Sequence, residues 1–256
     1  MNISKIFRVI VSLALVILTC VYAYAMPGEG HKNDWGQVFG ISGGKVDNVW
    51  STAQNVIDRY ETDYKTLQKK FEWFRLGSAR HRLLFHWGFN TPPDKHVTLV
   101  KQVDDCFRGR SDASEQKEKF FAALNKINNQ RKAALTLSIS TNLGLVGSQA
   151  IAGIIHDVHI LGDYTTTNKD GLAPISDIQR DLKNNFGDLL GYRPSEKLIN
   201  VQREFNEELS RAGSSGDDAT KARNLIATAK KFVPVVINER FGNTLKQKGI
   251  YVKTTY

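Results

Sequence analysis

The chain has too few cysteines and prolines to be a disulfide-stabilised or extended repeat protein. It contains two cysteines, Cys20 and Cys106, and six prolines among 256 residues. Cys20 lies in an N-terminal apolar segment, so removal of that segment leaves Cys106 without an intramolecular partner. The length of the chain excludes a disulfide miniprotein. The low proline count, the dispersed glycines and the lack of a periodic repeat in the sequence exclude a collagen-like chain and a solenoid. A composition of 41% hydrophobic and 24% charged residues instead indicates a globular protein with its own core.

The first 25 residues have the pattern of a secretory signal peptide. Lys5 and Arg8 precede the apolar run Val9 to Val21, and Ala23-Tyr24-Ala25 supplies the small residues of a cleavage site. We therefore expect a mature chain of residues 26–256 that is secreted or periplasmic. A retained N-terminal anchor is the alternative, because the apolar run is long for a signal peptide.

Negative charge is scarce relative to positive charge. Without the first 25 residues, the chain has 33 lysines and arginines against 26 aspartates and glutamates, a net charge of +7. The cations are spread along the chain and do not form a run. This charge favours anionic partners, either phosphoesters or a membrane surface, but a basic solvated surface explains it equally well.

Strand-like alternation is missing, and apolar residues recur at helical spacing through most of the chain. The stripe between Val46 and Phe74 predicts a long amphipathic helix. Other helices are expected over about 94–107, after the polar loop Arg108 to Ser114, and over roughly 176–190, 194–212 and 217–240. The tail from Gly249 to Tyr256 is either a short strand or a frayed end. The predicted fold class is all-α, a single multi-helix bundle formed by residues 26–256.

Charged residues are absent from Ala133 to Ile155. This length would suit a membrane span, but serines, a threonine, an asparagine and a glutamine lower its hydropathy. Small residues, among them Gly147 and Gly153, would admit close neighbours. We expect a helix buried at the centre of the bundle. The alternative is a membrane-associated protein with two spans, Val9 to Val21 and Ala133 to Ile155.

Histidine is missing from the last 97 residues, and the last two of the six histidines lie close together. His156, His159 and Asp163 have the spacing i, i+3, i+7, which places them on one helical face. Imidazole nitrogen and carboxylate oxygen are ligands of zinc in hydrolytic sites. Alternatively, the histidines interact with the helix C-terminus and Asp163 caps a loop. Asp157 either orients a ligating imidazole or faces solvent.

A metal site that begins on one helix needs further ligands from elsewhere in the chain. His86, together with His81 or His96, is the natural second source. His86 lies in an irregular segment that contains glycine and proline, and loops of this kind often carry functional residues.

Two short segments about 70 residues apart form a recognisable pair: Phe85-His86-Trp87-Gly88-Phe89-Asn90 and His159-Ile160-Leu161-Gly162-Asp163. The second is similar to the H-x-L-G-D segment of the zinc-dependent phospholipase C and fungal single-strand nuclease superfamily. The first resembles the histidine-plus-aromatic loop of that superfamily. The resemblance implies a secreted all-α bundle in which zinc ions activate water to cleave phosphoesters. It also implies that His86, His159 and Asp163 bind zinc.

The chain departs from the superfamily pattern at other ligand positions. No histidine follows His159, whereas the superfamily has further histidine ligands downstream. The predicted mature chain starts at Met26, whereas the superfamily starts at a tryptophan whose amine binds metal. We therefore expect one or two metal ions, with His156 or Asp157 in place of a lost ligand.

The sequence thus predicts a secreted or periplasmic zinc-dependent hydrolase that acts on phospholipid or nucleic acid. His159 and Asp163 are the catalytic candidates, and His86 and His156 complete the metal ligands. The candidates for binding the substrate phosphate are Arg80, Arg82 and Lys169, whose alternative role is that of surface cations. The alternative function is that of a non-catalytic extracytoplasmic helical protein with the same fold and a degenerate metal site.

Overall fold

A computed structural model of the chain describes most of its C-terminal two thirds and parts of the region before it. The described residues are 39, 41–42, 56, 59–60, 62–67, 69–71, 89–143, 147–165 and 173–254. The predicted signal peptide at residues 1–25 lies outside them.

The described residues are mostly helical, which confirms the all-α prediction. In chain order the helices are α1 (Val97–Phe107), α2 (Ala113–Leu143), α3 (Ser148–Tyr164), α4 (Ile175–Leu190), α5 (Glu196–Ser214) and α6 (Asp218–Gln247). A 3₁₀ turn, Pro93–Lys95, precedes α1. Strand β1 (Ile41–Ser42) pairs antiparallel with β2 (Tyr251–Val252), so the C-terminal tail forms the short strand that was one of its two predicted states.

The helices α4, α5 and α6 begin within two residues of their predicted starts. The side chain of Ser195 accepts a hydrogen bond from the amide of Leu198 at the start of α5. Asp217 accepts one from the amide of Thr220 at the start of α6. Such caps satisfy amide groups that have no partner within the helix. Local sequence signals therefore define these helix starts well.

The predicted N-terminal amphipathic helix is confirmed where the structure describes it. Residues 62–67 are helical, and Tyr60, Tyr64, Leu67 and Phe71 of the predicted stripe are buried. The ring of Phe71 contacts that of Phe120 on α2 edge to face, with 5.4 Å between centroids. Apolar burial thus attaches this segment to α2.

The charge-free stretch from Ala133 to Ile155 is not one buried helix, and that prediction is wrong. Helix α2 ends at Leu143, and α3 begins after Gly147, which has φ +96°. A left-handed backbone of this kind favours glycine and interrupts a helix. In the same stretch, Leu137 on α2 is 65% exposed. Within the described part of the chain, no helix has the length and apolarity needed to cross a bilayer.

Helix α3 is the most thoroughly buried of the described helices. Fourteen of its 17 residues are buried, and it packs against α2, α4 and α6. A helix that is buried on nearly all sides needs apolar or small residues around its circumference. The residues Ala150 to Ile155 meet this requirement, whereas His156 and Asp157 bring polar groups into the same environment.

A glycine allows α3 and α4 to approach closely. The amide group of Asn185 on α4 lies against Gly153, and a Cβ atom at position 153 would lie 2.3 Å from its Oδ1 atom. The same amide group donates a hydrogen bond from Nδ2 to Oδ2 of Asp157, at 2.7 Å. Gly153 and Asp157 are one turn apart, so Asn185 covers both positions of α3.

We expect Gly153→Ala to destabilise the protein by about 2–4 kcal/mol. The new methyl group displaces the Asn185 amide and removes its hydrogen bond to the buried Asp157 carboxyl. Gly187→Ala is the matched control, because a Cβ atom at Gly187 on α4 has its nearest contact at 3.7 Å. That control should stabilise the protein by roughly 0.5–1 kcal/mol through helix propensity. Denaturant unfolding measures both effects, and equal effects of the two substitutions would contradict the packing described.

Candidate functional site

The C-terminal half of α3 carries the predicted site residues that the structure describes. His156 is 3% exposed and Asp157 is 1% exposed, whereas His159 and Asp163 are half-buried. The helix therefore presents two kinds of polar residue. One pair is enclosed within the protein, and the other keeps some contact with solvent.

Asp157 is held by two polar neighbours. Its Oδ2 accepts the hydrogen bond from Asn185, and its Oδ1 lies 3.4 Å from Nδ1 of His156. Burial raises the pKa of Asp157 well above its usual range. The charge of Asp181 adds to this rise in pKa and the hydrogen bond from Asn185 opposes it. The predicted solvent-facing role of Asp157 is wrong, because its side chain is buried. Its predicted contact with a neighbouring imidazole is present.

The ring of His156 packs face to face against that of Phe89. Their centroids are 5.1 Å apart and the ring planes differ by 28°. Phe89 is 2% exposed. On α2, the guanidinium of Arg131 lies 5.9 Å and the ammonium of Lys132 5.5 Å from the centroid of the Phe89 ring. Cations at these distances are attracted to an aromatic face, so Phe89 links α2 to α3.

Arg131 is a fully buried cation beside this stack. Its guanidinium also lies 5.8 Å from the centroid of the Tyr64 ring. Burial lowers the pKa of Arg131, and Tyr64 opposes the shift. The Tyr64 hydroxyl donates to Oδ1 of Asn128, and burial raises the pKa of Tyr64 to about 12. Buried polar groups thus extend from the N-terminal helical segment through α2 to α3.

His159 and Asp163 are one helical turn apart on α3, as the sequence predicts. Imidazole and carboxylate at this spacing can approach a common ligand. His156 shares their face, but a rise of 1.5 Å per residue places it about 10 Å along the axis from Asp163. Among the residues that the structure describes, no group of three or more histidines, cysteines, aspartates and glutamates is arranged to hold a metal ion.

Several predicted site residues lie outside the described part of the chain, namely His86, His81, Arg80, Arg82 and Lys169. His96, a possible companion of His86, is described. It is 5% exposed, and its Nε2 lies 3.1 Å from the carbonyl oxygen of Thr91. Burial lowers the pKa of His96. His96 directly precedes α1, and one nitrogen of its ring contacts the backbone.

Sequence reasoning missed Asn185, Asp181 and Arg131 as parts of this region. The signal for Asn185 is a polar residue on the apolar stripe of α4, next to Phe186 and three residues after Leu182. A polar residue at such a position needs a buried partner. Nothing local distinguishes Arg131 from the other cations of α2.

Comparison with known proteins yields no relationship. No protein-family model, no curated protein and no solved structure matches this chain.

We expect Asp181→Asn to change how stability depends on pH. Burial raises the pKa of Asp181 from 3.8 to about 6, while Arg180 opposes and Asp177 adds to the shift. The folded protein therefore binds this proton more tightly than the unfolded chain does. The free energy of unfolding should fall as pH rises from about 4 through 6, and the Asn variant should lack about 1–3 kcal/mol of that fall.

Denaturant unfolding between pH 4 and 8 measures the difference. Asp188→Asn is the control, because it removes an exposed carboxylate from the same helix. A wild-type pH dependence in the Asp181→Asn variant would contradict the assignment.

Proposed function

We propose that the mature chain, residues 26–256, is a secreted or periplasmic zinc-dependent hydrolase of phosphoesters. In this proposal it forms one helical bundle with α3 at its centre. The observation that supports the proposal is the pair His159 and Asp163, half-buried and one turn apart on an otherwise buried helix. Such a pair offers metal ligands at the border between the core and solvent, where a substrate can reach them.

The donor chemistry of this pair fits zinc, but two donors do not complete a site. Zinc in a catalytic site takes three protein ligands and keeps one position for water or substrate. His86 is the proposed third ligand. It precedes Phe89 by three residues in the sequence, and three residues span at most about 11 Å. Phe89 in turn packs on His156, one turn before His159. Bound zinc would lower the pKa of water and polarise the phosphoryl group.

The substrate is proposed to be a phospholipid or a nucleic acid. Arg80, Arg82 and Lys169 are the proposed contacts to the phosphate oxygens, since charged donors form strong hydrogen bonds with them. The net charge of +7 in the mature chain favours approach to either anionic substrate and to a membrane surface.

The second candidate is a non-catalytic extracytoplasmic protein with a degenerate metal site. It is favoured by the lack of a three-ligand group among the described residues and by the lack of any histidine after His159. The two candidate functions differ in the expected zinc content. The hydrolase binds zinc in stoichiometric amount, and the non-catalytic protein does not.

We expect the purified mature protein to contain zinc in stoichiometric amount by elemental mass spectrometry. His159→Ala and Asp163→Ala should each lower the zinc content by on the order of tenfold or more, because each removes a proposed ligand. Asp188→Ala is the matched control, since it removes an exposed carboxylate from the adjacent α4 and should retain the metal.

Zinc-loaded protein is then assayed on anionic phospholipid vesicles, single-stranded nucleic acid and a small phosphodiester. Hydrolysis of one class, lost in the His159→Ala variant, identifies the substrate. A wild-type protein without zinc, even after zinc is supplied, would leave only the non-catalytic candidate.

A further inference from the structure

We propose that His156 is a positioning residue that acts through the face of its ring against Phe89, and that it is not a zinc ligand. This inference rests on the proposed function for its metal-binding readout. The stacking itself is tested by a second readout that does not require zinc.

The surroundings of His156 differ from those of the two proposed ligands on α3. His156 is 3% exposed, whereas His159 and Asp163 are both half-buried. A hydrolytic zinc ion needs an open coordination position that water and substrate can reach. A ring enclosed between Phe89 and the interior of the protein is poorly placed to serve such an ion.

The position of His156 along α3 leads to the same conclusion. Asp163 is seven positions after His156, which corresponds to about 10 Å along the helix axis. An aspartate side chain is short, so a zinc ion bound by Asp163 lies about two helical turns from the backbone of His156. His159, four residues before Asp163, is much closer to such an ion.

The stack that involves His156 connects three parts of the chain. Phe89 lies at the beginning of the described segment that leads to α1, and its ring packs on His156 of α3. Arg131 and Lys132 of α2 approach the same ring. Aromatic stacking and cation–π attraction both act on the Phe89 ring, so the loss of one neighbour changes how firmly Phe89 is held.

The main test compares His156→Phe with His156→Ala in zinc affinity. Phenylalanine keeps an aromatic face and lacks ring nitrogens, so a positioning role predicts zinc affinity within about threefold of the wild type. Alanine removes the face that holds Phe89, which follows the proposed ligand His86 by three residues. We therefore expect the zinc affinity of this variant to be about tenfold or more below that of the wild type. A His156→Phe variant that loses zinc as completely as His159→Ala would overturn the proposal, since His156 would then be a ligand.

The second readout is a double-mutant cycle that needs no metal. Phe89→Leu and His156→Ala are made singly and together, and the unfolding equilibrium constant of each variant is measured with zinc chelated. We expect a coupling of about fivefold in that constant. The control cycle pairs His156→Ala with Phe107→Leu, because Phe107 on α1 is also 2% exposed and contacts the ring of Phe71 edge to face. The control cycle should show no coupling.

The outcomes separate the two proposals. Absence of zinc in the wild type with coupling in the cycle rejects the hydrolase and retains His156 as a positioning residue for Phe89. Absence of coupling between positions 89 and 156 rejects the positioning role whatever the zinc content. If His156→Ala is too unstable to measure, His156→Leu replaces it, because leucine also lacks an aromatic face.

Discussion

The hydrogen bond from Asn185 to Asp157 is the interaction on which the interior of this protein depends most. A carboxyl group that is 1% exposed requires hydrogen-bonding partners, because an unsatisfied polar group in the core costs about 1–3 kcal/mol. Asn185 reaches Asp157 only because Gly153 carries no side chain on the intervening surface of α3. The close packing of α3 against α4 and the hydrogen bond to Asp157 therefore depend on the same residue, Gly153.

Helix α3 has two parts that differ in composition and burial. The first part, up to Ile155, has small and apolar residues and fits between its neighbours. The second part carries polar side chains, of which His156 and Asp157 are enclosed and His159 and Asp163 keep some exposure. In our proposal, the enclosed pair fixes the packing of Phe89 and α4, and the half-buried pair binds zinc. Metal ligands are usually held in position by neighbouring residues that do not themselves bind the metal.

The sequence predicts the helices well where they have a polar and an apolar face. Apolar periodicity and the turn residues between the helices predict the starts of α4, α5 and α6 to within two residues, although α4 has no side-chain cap. Between Ala133 and Ile155, periodicity does not predict where one helix ends and the next begins. This stretch has no charged residues to mark a solvent-facing side of the helix. The sequence shows Gly147 only as a small residue, and its left-handed backbone, with φ +96°, is seen only in the structure.

The candidate site is predictable only in its local part. The sequence spacing correctly places His156, His159 and Asp163 on one face of the helix. The rise along the helix axis nevertheless keeps His156 apart from Asp163. Contacts of Asn185, Arg131 and Phe89 join residues far apart in sequence, and no spacing rule predicts them.

The proposal that His159 and Asp163 bind zinc and His156 does not is tested most directly by anomalous X-ray diffraction at the zinc absorption edge. The crystals are those of the mature protein grown with zinc. We expect a peak at about 2.0–2.2 Å from a ring nitrogen of His159 and a carboxylate oxygen of Asp163, with the His156 ring stacked on Phe89 and outside the coordination sphere. A crystal without any such peak, or a peak coordinated by His156, would contradict it.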